Sequence, residues 1–117
     1  MSPNNWVRYT DGKWCDLMTL NLADPHFKDL RGVYIIWHGG TNPAVVRVGQ
    51  GVISDRLSQH RNDSSILAYR PLGLYATWIA VHPTLMDGVE RFLAEKWNPK
   101  VGDRFPDVVP VQISSPW

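Results

Sequence analysis

A single cysteine, Cys15, rules out any disulfide within the chain and fits a reducing compartment. Histidines number four, at 26, 38, 60 and 82, too far apart in sequence to form a metal-ligand spacing, so a structural zinc site is not expected. No apolar run approaches the ~20 residues that a membrane-spanning helix needs, and the opening Met1-Ser2-Pro3-Asn4-Asn5 lacks a signal-peptide profile. The expectation is therefore a cytoplasmic protein without a membrane partner. Strong net charge is missing too: twelve basic against eleven acidic residues leave +1, far from the basicity that by itself announces nucleic-acid binding. No repeat or low-complexity segment is present.

What is there points to one domain, since 117 residues with 44% hydrophobic content suffice for a single core and not for two. The charge is unevenly placed. Residues 31 to 70 hold Arg31, Arg47, Arg56, Arg61 and Arg70 against Asp55 and Asp63, a local net of +3, while each flank is net −1.

That basic segment contains the stretch on which the rest is organised. Gly32 to Trp37 and Val45 to Gly51 are apolar runs rich in β-branched residues, separated by the Gly39 to Pro43 punctuation, and read as a β-hairpin. Ser54 to His60 follows as a helix. Upstream, Trp6 to Thr10 and Lys13 to Leu17 flank Asp11-Gly12, a pair suited to a tight primed turn, and predict a second hairpin. Asp24-Pro25 reads as a cap with proline at the first helical position. Downstream, Ser64 or Ser65 is expected to cap a short helical piece reaching Tyr69 before Pro71. Leu74 to Val81 is apolar on both faces and predicts a central strand. Thr84 is the expected N-cap of a helix whose stripe is Leu85, Val89, Phe92, Leu93 and Trp97. Four of nine prolines fall from Pro99 onward, which predicts an extended tail packed on the body. The fold class is α/β (α+β): a central three-stranded antiparallel sheet flanked by helices. It divides into an N-terminal extension (1–31), a core (32–99) and a tail (100–117).

Candidate functional residues follow from the same geometry. At roughly 100° per residue, Glu90 falls at the border of the last helix's stripe while Asp87 and Glu95 point toward solvent, so Glu90 alone is suited to a cleft; the alternative is a surface glutamate beside the core. Arg56 and His60, four apart, share a helix face with Gln59, opposite Ile53 and Leu57; a solvated face is the alternative. Tyr34 shares a strand face with Gly32 and Ile36, and Arg47 with Val45 and Gly49. Tyrosines in strands more often pack than react.

Taken together, Gly-Val-Tyr on the first strand, Val-Gly on the second, Arg-x-x-x-His on the helix, then Glu90, Leu93 and Pro99 resemble the GIY-YIG nuclease family over residues 32 to 99. The resemblance implies metal-dependent endonucleolytic hydrolysis of DNA, with Tyr34, Arg47, Arg56, His60 and Glu90 as catalytic residues. It implies one Mg2+ or Mn2+ ion on Glu90, activation of water by Tyr34, phosphate charge neutralised by Arg56, and positioning by His60. A phenol with an ordinary pKa near ~10 is a poor base at neutral pH, so that role expects Arg47, Arg56 and the metal to depress it. The chain departs from the pattern at Arg47, where the second motif has tyrosine; at Gly51, where a small hydroxyl residue is common; and at Gly102-Asp103, where an asparagine is often found after the proline. A non-catalytic module that binds nucleic acid or protein on the same fold is the alternative. With no separate recognition domain in evidence, specificity is expected from a protein partner, a homodimer, the N-terminal hairpin or the tail.

Overall fold

The structure, a computed structural model, describes residues 6–9, 11–102 and 105–117. It is an α+β fold built on an antiparallel sheet of four strands: β1 (Cys15–Asp16), β2 (Arg31–His38), β3 (Ala44–Val52) and β4 (Leu74–Ala80), in spatial order β1-β4-β2-β3. Three helices accompany it: α1 (Ile53–His60), α2 (Ser64–Leu67) and α3 (Met86–Trp97). The three strands expected from sequence are present, and β4 is central as its two-sided apolarity requires.

The fourth strand corrects the three-stranded expectation. Cys15 and Asp16 pair with Ala76 and Tyr75 of β4, the Leu17 N–H donates to the Leu74 carbonyl, and the Val7 N–H donates to Trp78. Both arms of the anticipated N-terminal hairpin thus turn outward to β4. Between themselves they keep a tight turn closed by Tyr9 and Gly12; Thr10, at its tip, lies outside the described residues. A two-stranded ribbon is marginal alone, whereas pairing with a central strand satisfies backbone groups against a formed core.

The sheet buries both faces. Tyr34, Ile36, Val46 and Trp78 pack with Ile53 and Leu57 of α1 on one side; Val33, Ile35, Trp37, Val45 and Val48 pack with Met86, Val89 and Leu93 of α3 on the other. A bulge makes Val46 and Arg47, neighbours in the chain, fall on the same face, with Val45 on the other. Ile36 pairs with Arg47 but Trp37 pairs with Val45, which leaves Val46 as the extra residue. The inserted residue breaks the period-two alternation, so Arg47 does not share the face of Val45; it lies with Gly49, Tyr34 and Ile36.

Two helix starts differ from expectation. Asp63 caps α2 in place of Ser64 or Ser65, its carboxylate accepting from the Ser65 N–H at 2.9 Å. The residue before α3 is Leu85, without a side-chain cap, because Thr84 is engaged with the His82 ring at 2.8 Å. Asp24 does cap a short 3-10 turn at Pro25–Phe27 by accepting from the His26 N–H. After α3, Asn98 adopts a left-handed conformation, φ 48°, and turns the chain onto the free edge of the sheet. There the Lys100 and Val101 N–H groups donate to the Val45 and Val46 carbonyls. Farther along, Val111 bonds to Gly88 and Ser114 accepts from the Trp6 indole. Among the described residues no helix is long and apolar enough to cross a membrane.

Candidate active site

Tyr34 points from β2 across the edge strand. Its register partner is Gly49, where a Cβ would overlap the phenol oxygen and ring, so the glycine is the space in which the tyrosine lies. This gives the Val-Gly dipeptide a physical reason independent of any resemblance. Gly51 serves Arg56 similarly: its φ is 128°, and a Cβ there would stand 2.9 Å from the Arg56 Nε. A hydroxyl-bearing residue at this position would meet both strain and crowding.

At the end of α1, His60 departs from the shared exposed face expected of it. Arg56 is exposed, but His60 is buried with Ile53 and Leu57, and its Nε2 meets the Tyr34 hydroxyl at 2.5 Å. Burial drives His60 down to about 4, reinforced by Arg47 and Arg56 and opposed by Asp63. Burial likewise pushes the Tyr34 phenol up to about 12, more than Arg47 and Arg56 pull it down. Arg47 and Arg56 by themselves do not give the expected depression of the phenol: with Tyr34 2% exposed, desolvation of a phenolate outweighs two guanidinium charges. With the imidazole neutral, its Nδ1–H tautomer leaves Nε2 free to accept from the Tyr34 O–H.

From α3, Glu90 reaches the edge of β3, 8% exposed, where its Oε1 accepts from Gln50 Nε2 at 2.9 Å. Burial raises its pKa, with the Gln50 bond and Arg47 opposing and Asp87 adding to the rise. The same Gln50 amide nitrogen donates to Asp87, which is exposed as its helical angle requires yet stands with Glu90 at one amide. Sequence reasoning missed Gln50 and Asp87. The available signals were the alternation that turns Gln50 away from Gly49 toward α3, and the i,i+3 spacing that places Asp87 and Glu90 on one helix flank.

Arg47 connects these groups. Its charge and that of Arg56 act on the phenol, the imidazole and the carboxylate alike, and its guanidinium also hydrogen-bonds toward the phenol. Its Nε is buried with no acceptor among the described residues. Gly102 of the tail lies against the guanidinium so closely that a Cβ would overlap Nη1. Arg61, by contrast, is spent on structure: it donates to the Leu17 and Leu20 carbonyls and ties α1 to the N-terminal arm.

All five candidate residues thus meet at one end of the β2–β3 hairpin, with Arg56 and Asp87 at the surface and Tyr34, His60 and Glu90 beneath it. For a divalent ion, the donor set is narrow. Among the described residues no group of three or more His, Cys, Asp or Glu is assembled to hold one. One carboxylate with open sites for water and phosphate oxygens does suit Mg2+, which keeps most of its waters and takes only one or two protein carboxylates. No protein-family model matches the chain, and no curated protein or solved structure matches it either.

Proposed function

We propose that the chain is a metal-dependent endonuclease of GIY-YIG type, hydrolysing DNA phosphodiester bonds at the Tyr34, His60, Arg47, Arg56 and Glu90 cluster. The observation that carries this reading is Arg47. A guanidinium whose buried Nε has no acceptor among the described residues is a costly arrangement that a bound anion relieves. Its planar fork matches phosphate oxygens, and Arg56 supplies a second permanent charge at the surface.

In the mechanism this supports, Arg47 and Arg56 hold the phosphoryl oxygens and neutralise charge as it builds. The bound phosphate also offsets Arg47 and Arg56, whose charges add to burial in keeping His60 neutral, so substrate binding makes the imidazole a better proton acceptor. Tyr34 Oη takes a proton from the attacking water while its own passes to His60 Nε2; no free phenolate is needed. Water adds to phosphorus, one ester P–O bond breaks, and the leaving oxygen takes a proton from solvent water, so the products are a phosphomonoester and an alcohol. Glu90 is the residue that would hold the Mg2+ or Mn2+, which when bound would supply a counter-charge for the leaving oxygen.

The burial of Tyr34 and Glu90, and the Gln50 amide on Glu90, favour a second reading: a non-catalytic DNA-binding module. Supercoiled plasmid with Mg2+ or Mn2+ separates the two. Nicking by wild type, lost in Glu90→Gln and Arg56→Ala, is the expected result. Plasmid left equally intact by all three, with a persistent gel shift, overturns the nuclease reading and leaves the binding module.

A further inference from the structure

The opposite face of β3 carries a feature that the proposed mechanism does not use. Trp37, Pro43, Ala44, Val45, Trp97 and Trp117 line a cavity of about 520 Å³ beside the hairpin tip. The Trp117 ring stands nearly perpendicular to both Trp37 and Trp97, at 84° and 89°, with centroids 4.8 and 5.2 Å apart, so three indoles turn different planes around one space. Trp117 remains 47% exposed. No charged side chain lines the cavity, but its surroundings are cationic: Lys96 Nζ lies 5.5 Å from the Trp97 centroid. The exposed Lys100 is bonded through its backbone to wall residue Val45. Arg8 sits 3.9 Å over Trp14, which itself packs edge-on to Trp37 and Trp117.

From these contacts we infer that the Trp37, Trp97 and Trp117 cavity binds an unstacked nucleobase of single-stranded DNA, with the flanking phosphates on Lys96 and Lys100. The inference rests on the DNA reading above and deepens it by naming the form of the substrate. Aromatic walls take the π-face of any base, which is how single strands are held without sequence readout. The lysines select against a cationic guest and for a flat group carried on an anionic chain. Location agrees as well. Trp97 follows Glu90 by seven residues on one helix, about 10 Å along its axis, and Val45 precedes Arg47 by two residues on β3. A strand with its phosphate at Arg47 therefore brings a neighbouring base to the cavity, passing Lys100 at the sheet edge. A base paired within a duplex cannot enter; an extruded or single-stranded one can.

Fluorescence anisotropy of the full chain in EDTA tests this with a labelled oligo(dT) and an abasic oligonucleotide of equal length and charge. Wild type is expected to bind the oligo(dT) roughly tenfold or more tightly than the abasic strand. Trp117→Ala, which removes one wall, and Ala44→Leu, which fills the space without removing an indole, are each expected to erase that preference while leaving weak, salt-sensitive binding of both strands. Equal binding of the two strands by wild type, or a preference that survives both variants, overturns the cavity's role and leaves the nuclease reading standing. Failure to bind either strand likewise overturns the cavity's role, and plasmid nicking then decides the nuclease reading by itself. Loss of plasmid nicking in Arg56→Ala with the base preference intact separates the two in the other direction.

Discussion

Acidification should destabilise this protein through His60. His60 is 8% exposed, ordinarily titrates near 6.5, and is held at about 4 in the fold by burial and by the two arginines. A depressed histidine contributes stability that is fully present above its unfolded pKa and is lost as pH falls toward the folded value. At pH 4.5 the unfolded imidazole is almost wholly protonated and the folded one only slightly. With ~1.4 kcal/mol per pKa unit, the fold then forfeits about 2.5 kcal/mol relative to pH 7.5. Glu90 works in the opposite sense, since its raised pKa lets the fold take up that proton early. The net acid sensitivity of wild type therefore does not isolate His60; the difference from His60→Gln does, because the amide oxygen can still accept from Tyr34 but has no proton to gain. Urea unfolding followed by tryptophan fluorescence at the two pH values should show wild type losing about 2.5 kcal/mol more than His60→Gln. For a chain of this size that is a shift in Tm of roughly 10 °C. Equal losses in the two proteins would refute the argument that burial and Arg47 keep this imidazole neutral.

Two further outcomes follow from the same cluster. Arg47→Met replaces a guanidinium whose buried Nε has no acceptor among the described residues, so it should leave stability unchanged or raise it by about 1 kcal/mol while DNA affinity and its salt dependence both fall; a marked loss of stability would mean that Arg47 is a structural residue. Gln50→Ala removes the amide that occupies Glu90 Oε1, and should tighten Mn2+ binding, read by titration calorimetry, severalfold; unchanged affinity would argue that Glu90 is not the metal ligand.

Much of the frame was legible in residues alone, and the reasons for the rest are specific. Gly39 to Pro43 between two branched apolar runs announces a hairpin, and the observed strands end within a residue or two of the expected limits. Glu90 lies buried on α3 with Val89 and Leu93, as its place at the border of the apolar stripe requires. The bulge was invisible, because residues 45 and 46 are both valine, and which of the two is the extra one leaves the apolar pattern unchanged. Nor could the N-terminal arms announce β4 as their partner, since that pairing spans some sixty residues and no local pattern encodes it. The raised pKa of the phenol was hidden for a related reason: counting nearby arginines gives the sign of one contribution, while the larger one depends on how much water the packed ring excludes. In the proposed mechanism these two kinds of group divide the work. Arg47 and Arg56 carry charge that no burial of this degree removes, which suits them to hold an anion. Tyr34 and His60 are kept uncharged by the fold and joined by one hydrogen bond, which suits them to pass a proton only once an anion has changed the field around them. The glycine at 49 is what permits that coupling, because a side chain there would push the phenol away from the imidazole.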